Sequence, residues 1–408
     1  MNTTANIFTN CKLVLSDRVV PGNVLVENGI ISAVERTGNV NAPFPAAWNN
    51  NKPEIVDCGG MYLSPGFIDI HNHGRLGCDV MDGKASSMET IAKNQAEHGV
   101  TGFLASTSSV PWENHLEVLR FLNGYCAAEC KKNSTLKTGD GAIKGSQCLG
   151  IYSEGTFFSM EKRGAHPPQF LKTELIKKDL DALADAAGDA LKIMALSPEL
   201  PGAEEWIRFF KEKGIVITAA HSNATYAETM KGIDLGITLG THTFNGMRSL
   251  SHQEPGILGA VLDDDRVYCE MIGDGVHINP VILSLVYKLK GPDRVILISD
   301  SVLVGGFPDG SYEKYGYTLI IKDGVIRLED GRLSGSGISL DKAVLNMVNL
   351  AGVNLCHAVR AASLNPARIL GLDHQKGSIV AGKDADLVVF NDNVEIKKVF
   401  IAGRPFLP

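Results

Sequence analysis

"PGFIDIHNHG", residues 65–74, is an apolar, β-branched run that closes on two histidines spaced i, i+2. Side chains of a strand alternate between two faces, so His71 and His73 are expected to point the same way, together with Asp69. Neutral imidazole is a common metal ligand, and a rigid strand holds two of them toward one point. Whether they meet a metal depends on what the rest of the chain brings to the same end of that strand.

Seven further runs of strand length follow, each trailed by a segment with helical periodicity. They are "GVTGFLAST" (99–107), "QCLGIYSEG" (147–155), "ALKIMALSPE" (190–199), "GIVITAAHSN" (214–223), "GITLGTHTFN" (236–245), "RVYCEMIGDGVH" (266–277) and "RVILISDS" (294–301). Strands that are apolar on both faces and alternate with helices indicate a parallel sheet. Eight of them suggest a closed (β/α)8 TIM-type barrel, expected over residues 63–372. A doubly wound sheet is the alternative, but no G-x-G-x-x-G fingerprint follows the first strand. Residues 1–62 and the stretch "KGSIVAGKDADLVVFNDNVEIKKVFIAGRPF" (376–406) read instead as short strands with Gly and Asn turns. Pairing them buries both apolar faces, so a small β-sandwich is expected from 1–62 plus 373–408. "VLVGGFPDG" (302–310) lacks the Lys-Ser/Thr of a phosphate loop and reads as a mobile loop after the last barrel strand.

Composition narrows the class. The 408 residues are 44% hydrophobic and 21% charged, with a net charge of −7, as expected of a globular protein with a large core. That balance argues against a general nucleic-acid or anionic-membrane binder. No basic segment precedes an apolar one at the N-terminus, and no apolar run reaches the length of a membrane span. The eight cysteines are scattered, as in a cytoplasmic protein with reduced thiols.

Polar residues fall at the carboxyl ends of the runs. His71 and His73 end the first, Glu154 the third, His221 the fifth, and His242 with Asn245 the sixth; His277 follows the seventh, and Asp300 ends the eighth. In a barrel those ends converge on the face where active sites lie. Nitrogen and carboxylate ligands without thiolate suit Zn²⁺, and Fe²⁺, Co²⁺ or Mn²⁺ also fit. Glu154, His221 and His242 make a three-ligand site, and His71 with His73 a second one that Glu154 could bridge. Asp300 is the candidate general base, with a further metal ligand or a structural carboxylate as the alternatives. Such parts suit hydrolysis of an amide.

These motifs carry a resemblance. "SPGFIDIHNHG" and "KGSIVAGKDADLVVF" are similar to the amidohydrolase superfamily. Within it, "YSEGTFFSMEKRGAHPP", "AHSNATY", "THTFNGM", "GDGVH", "ISDS" and "RLSGSGISLDKAVLNMV" resemble the deacetylases of N-acetylhexosamine phosphates, N-acetylglucosamine-6-phosphate deacetylase among them. The resemblance implies a barrel with a terminal β-sandwich, a homodimer, one or two divalent metals, and conversion of an acetamido sugar phosphate to the amino sugar phosphate and acetate. It implies Glu154, His221 and His242 as metal ligands, His71 and His73 as the pair for a second metal, and Asp300 as the catalytic acid/base. Ala165, His166, Asn245, Gly246, His277, Leu333, Ser334 and Gly335 fall where the family meets substrate. Two positions depart from the pattern. Gln253 in "SHQEPG" stands where the family carries a phosphate-gripping arginine, and "EGTFF" has Thr156 where a proline is usual. The first departure leaves open a different N-acetyl sugar, such as N-acetylgalactosamine 6-phosphate or an unphosphorylated one, or another amide. A catalytically silent barrel is a third reading, but no ligand position is lost.

Overall fold

Each of the eight apolar runs is a strand in the computed structural model, which describes residues 5–136, 143–314 and 317–407. They are β1 (Phe67–Asn72), β2 (Val100–Ser106), β3 (Gln147–Ser153), β4 (Leu191–Leu196), β5 (Val216–Ala219), β6 (Ile237–Gly240), β7 (Tyr268–Ile272) and β8 (Val295–Ile298). The strands lie side by side in chain order, each parallel to the next. Helices connect them and start where the sequence offers caps. Thr225 and Glu228 form a reciprocal capping box at Tyr226–Leu235, and Asn279 caps Pro280–Lys290 with Pro280 in the first turn. The barrel interior is filled by Ile68, Ile70, Leu104, Ile193, Leu239 and Ile296. Alternate residues such as Phe67, Phe103 and Ile151 pack outward with the apolar faces of the helices.

The strand β1 breaks its own alternation. Its pairing with β2 shifts register between Asp69 and Asn72. A bulge of this kind re-aims the side chains beyond it. Asp69, before the bulge, keeps the outward side of Phe67: it accepts from Nε2 of Gln95 on helix Ala85–Glu97 (2.8 Å) and from the Ser299 hydroxyl (2.6 Å). His71 turns inward and lies against the Tyr152 ring, 4.4 Å between centroids. The two histidines face one point as the spacing predicts, but Asp69 does not join them. Instead it helps close the barrel. Across the seam between β8 and β1, Asp300 N–H donates to the His71 carbonyl (2.9 Å) and His73 N–H to that of Ser301 (2.9 Å).

Both termini enter one further sheet of eight strands. Ala5–Val14 lies at its centre and pairs with Val19–Glu27, Glu54–Asp57 and Tyr62–Pro65; Tyr62–Pro65 in turn pairs with Leu387–Phe390 near the other end of the chain. The sheet encloses its own core of Phe8, Leu13, Val24, Leu63, Leu387 and Phe400. Lys376, buried at its edge, holds Asp386 (2.6 Å) and Asp384 (3.2 Å).

After β8, residues 303–306 are turns, as the Gly305–Gly306 pair indicates. Beyond them lies an element with no counterpart in the sequence expectations, a sheet of three antiparallel strands, Gly310–Lys314, Tyr317–Lys322 and Val325–Leu328. Asp323 and Gly324, both at positive φ, make the two-residue turn between its last two strands. Leu319, Ile321 and Ile326 pack under it against Val304. This insert overhangs one side of the barrel mouth.

Candidate metal centre

At the carboxyl ends of the strands, six side chains form two adjoining groups: Glu154, His221 and His242 in one, His71, His73 and Asp300 in the other. All six are buried. His221, His242 and Asp300 sit just past their strands with φ of 45°, 27° and 48°, a left-handed conformation that non-glycine residues rarely adopt. Three such turns at one rim cost about 1–3 kcal/mol each. They are tolerated because neighbouring backbone fixes them: the His221 carbonyl accepts from Ser159 N–H, and the Asp300 carbonyl from Ser336 N–H.

Hydrogen bonds behind the histidines set their tautomers. His221 Nδ1 faces the Lys162 carbonyl at 2.9 Å, and His242 Nδ1 the Asn245 carbonyl at 3.1 Å. A carbonyl only accepts, so in both rings Nδ1 carries hydrogen and a neutral ring turns the Nε2 lone pair forward. The two Nε2 atoms lie 3.1 Å apart, with Glu154 Oε1 3.0 Å from one and 3.3 Å from the other. Lone pairs so placed repel unless a proton or a cation lies between them. Ligand atoms around a tetrahedral Zn²⁺ at about 2.0–2.1 Å sit roughly 3.3–3.4 Å apart, so the group fits a divalent cation. In the second group, His71 and His73 Nε2 are 3.2 Å apart, and Asp300 Oδ1 lies 3.3 Å from His73 and 3.8 Å from His71. Glu154 Oε2 is 3.2 Å from His73, so one of its oxygens faces each group.

The electrostatics follow. Burial alone would raise the Glu154 carboxyl, but the charge of His71 and hydrogen bonds from His221 and His242 hold it well below the usual range. Burial would likewise raise Asp300; the hydrogen bond from His73 and the charges of His71 and His73 bring it down to about 2. His73, which burial pushes down, is carried up to about 9 by Asp300 and Glu154. Protons and a cation compete for these same positions. His166 lies 3.8 Å from Glu154 but is pushed down to about 3 by burial and the neighbouring His221, so it is neutral at pH 7.

A cavity of about 870 Å³ opens above the two groups. Ala165, His166, Asn245, Gly246, His277, Leu333, Ser334 and Gly335 all line it, as do His73, Glu154, His221, His242 and Asp300. His71 lies just behind them. Gln253 does not line the cavity; it is exposed, in a solvent-facing stretch from Ser249. Residues not singled out from sequence also matter. Glu270, fully buried on β7, accepts from His71 Nδ1 (3.1 Å) and from His242 N–H (3.0 Å). A charge inside the apolar run "RVYCEMIG" was its visible signal, since a buried carboxylate needs partners. Asp274 accepts from His277 Nδ1 at 2.6 Å, which fixes that ring. Arg327 and Arg332 of the insert line the cavity mouth. By contrast, His98, His115 and His357 lie elsewhere, His98 against Asp341 and His357 against Tyr287.

The amidohydrolase family model matches residues 62–406. The chain is 35% identical over 379 residues to an N-acetylgalactosamine-6-phosphate deacetylase of Escherichia coli O157:H7, covering 93% of each. It is 33% identical to an N-acetylglucosamine-6-phosphate deacetylase of Vibrio furnissii, over 93% of this chain and 88% of that one. A solved structure of an N-acetyl-D-glucosamine-6-phosphate deacetylase variant from Mycobacterium smegmatis, in complex with N-acetyl-D-glucosamine 6-phosphate, superposes with a TM-score of 0.86 at 27% identity, with all of both chains covered. With that family model matching most of the chain and relatives above 30% identity matched over nearly their whole length, the chain belongs to the amidohydrolase family.

Proposed function

We propose that this protein is a metal-dependent deacetylase that hydrolyses an N-acetylhexosamine 6-phosphate to the amino sugar phosphate and acetate. The observation that carries the proposal is the set of Glu154, His221 and His242 donor atoms facing one point, with the Asp300 carboxyl beside it at the floor of a sugar-sized cavity. N-acetylglucosamine 6-phosphate is the first substrate. The Escherichia coli relative favours its galactosamine epimer as the second reading.

A divalent cation held by Glu154, His221 and His242 supplies Lewis acidity toward the amide oxygen and the attacking water. Zinc suits these donors best, and His71, His73 and Asp300 offer a place for a second ion. Asp300 is ionised at neutral pH, so it accepts the proton of the water as its oxygen bonds to the acetyl carbon. It returns that proton to the sugar nitrogen as the carbon–nitrogen bond breaks, which balances the hydrolysis. His166 and Asn245 offer hydrogen bonds to the acetamido group or ring hydroxyls. His277, oriented by Asp274, faces the same space.

Two copies are expected to associate: Val281, Leu285 and Leu289, four residues apart on one helix, leave an exposed apolar stripe. Among the described residues no helix is long and apolar enough to cross a membrane. We place the protein in the cytoplasm, where its eight thiols stay reduced. The deciding experiment measures acetate release from N-acetylglucosamine, N-acetylgalactosamine and N-acetylmannosamine, each with and without a 6-phosphate, before and after chelation. No acetate from any of them, or undiminished release after metal removal, refutes the proposal.

A further inference from the structure

The position expected to grip phosphate lies outside the cavity, yet the mouth of the cavity is cationic from another direction. Arg327 and Arg332 reach it from the three-stranded insert and its return segment. Arg332 Nη1 donates to the carbonyl of Gly164, on the loop that leaves β3, while its Nε (2.8 Å) and Nη2 (2.6 Å) hold Asp330. Arg163, next to Gly164, donates to the His166 carbonyl at 3.1 Å. Arg327 Nη1 donates to the Gly331 carbonyl, beside Arg332, at 2.8 Å. Arg332 commits three of its five N–H groups to these contacts, leaving two in a side chain whose orientation is already fixed.

The place of Gly164 relates this arginine to the metal centre. A Cβ on Gly164 would lie 3.1 Å from Cε1 of His221, and one on Gly246 would lie 2.6 Å from Nδ1 of the same ring. Both glycines therefore abut one metal-ligating imidazole. Arg332 is fastened to the first of them, on the side of the site that Asn245 and Gly246 also border. A hexose with its acetamido group beside Glu154, His221 and His242 would have its far end within the same cavity that Arg327 and Arg332 line. We infer that Arg332, with Arg327 beside it, is the anion subsite that receives the phosphate monoester, in place of a cation at position 253. The guanidinium fork matches two phosphate oxygens, and the contact to Gly164 and Asp330 pre-sets its direction. This assignment deepens the deacetylase function proposed above and rests on it.

The test compares kcat/KM for acetate release from phosphorylated and unphosphorylated N-acetylglucosamine and N-acetylgalactosamine, in the metal-loaded protein. Wild type is set against Arg332→Gln, Arg332→Lys, the double variant Arg327→Gln/Arg332→Gln, and Gln253→Ala. The phosphorylated-to-unphosphorylated ratio is expected to fall about tenfold in Arg332→Gln and toward a hundredfold in the double variant, mainly through KM. Arg332→Lys, which keeps the charge without the fork, is expected to recover part of the loss. A double-variant ratio within twofold of wild type overturns the assignment while leaving deacetylation standing. A loss confined to Gln253→Ala also overturns it, in favour of that side chain reaching in from a second copy. Absence of acetate from every sugar with the wild type overturns assignment and function together.

Discussion

Replacing Glu270 with Gln changes one charge in a fully buried place and leaves shape intact. Glu270 Oε2 accepts from His71 Nδ1 and from His242 N–H, while Oε1 has no partner. The carboxylate thereby holds His71 with its Nε2 turned to His73, and its negative charge makes that nitrogen a better donor. In Glu270→Gln the amide oxygen can keep both hydrogen bonds, but the charge is lost and an NH₂ group lies where nothing accepts from it. A hydrogen bond to a charged group contributes about 1.5–3 kcal/mol and one between neutral groups about 0.5–1.5 kcal/mol. The difference for the His71 bond, roughly 1–1.5 kcal/mol, corresponds to about a five- to tenfold weaker cation at the His71–His73–Asp300 group. The Glu154–His221–His242 group, which touches Glu270 only through the His242 backbone, is expected to weaken much less. Titration of the metal-free protein with Zn²⁺ against a competing chelator resolves the two steps. Equal affinities in wild type and variant for both ions refute the role given to Glu270. A loss confined to the first ion would show that the two groups have been assigned the wrong way round.

Other perturbations separate the remaining roles. Asp300→Asn is expected to lower turnover by about two to four orders of magnitude while the ion at Glu154, His221 and His242 stays bound; kinetics and elemental analysis of one preparation check both. In His221→Ala, metal content and activity are expected to fall together, and a fully metallated variant contradicts the ligand set. Lys376 tests the terminal sheet. Burial pulls its amine down, but Asp386 and Asp384 more than offset that and hold it above its ordinary value. A raised folded-state value stabilises fully below the unfolded one, about 10.4, and that stabilisation is lost as pH rises through the folded one. Lys376→Met is therefore expected to lose about 3–5 kcal/mol at pH 7, with the gap to wild type closing above about pH 10.5, as read by urea unfolding.

Much of the site was legible because its residues end runs whose period is local. His71, His73, Glu154, His221, His242 and Asp300 each follow a β-branched stretch, and parallel strands share one carboxyl end. What failed locally was the assumption of unbroken alternation: Asp69 stays outward, and the bulge that follows it in β1 turns His71 inward. The three-stranded insert escaped notice because its alternation spans only a few residues and competes with the glycine-rich turns around it.

The amino-acid order alone determined the repeating strand–helix units, the union of the two ends in one sheet, and the residue types available at the rim, since periodicity and turn chemistry act between near neighbours. Which side chains meet was decided only in three dimensions. Glu270 and His71 are 199 residues apart, and Arg332 and Gly164 are 168 apart. Such contacts depend on how the barrel closes and how a loop lies over its mouth, and closure brings together atoms that no local pattern relates. For the same reason Gln253 faces solvent although Asn245 and Gly246, eight and seven residues earlier, border the cavity: an exposed stretch carries it away from the rim.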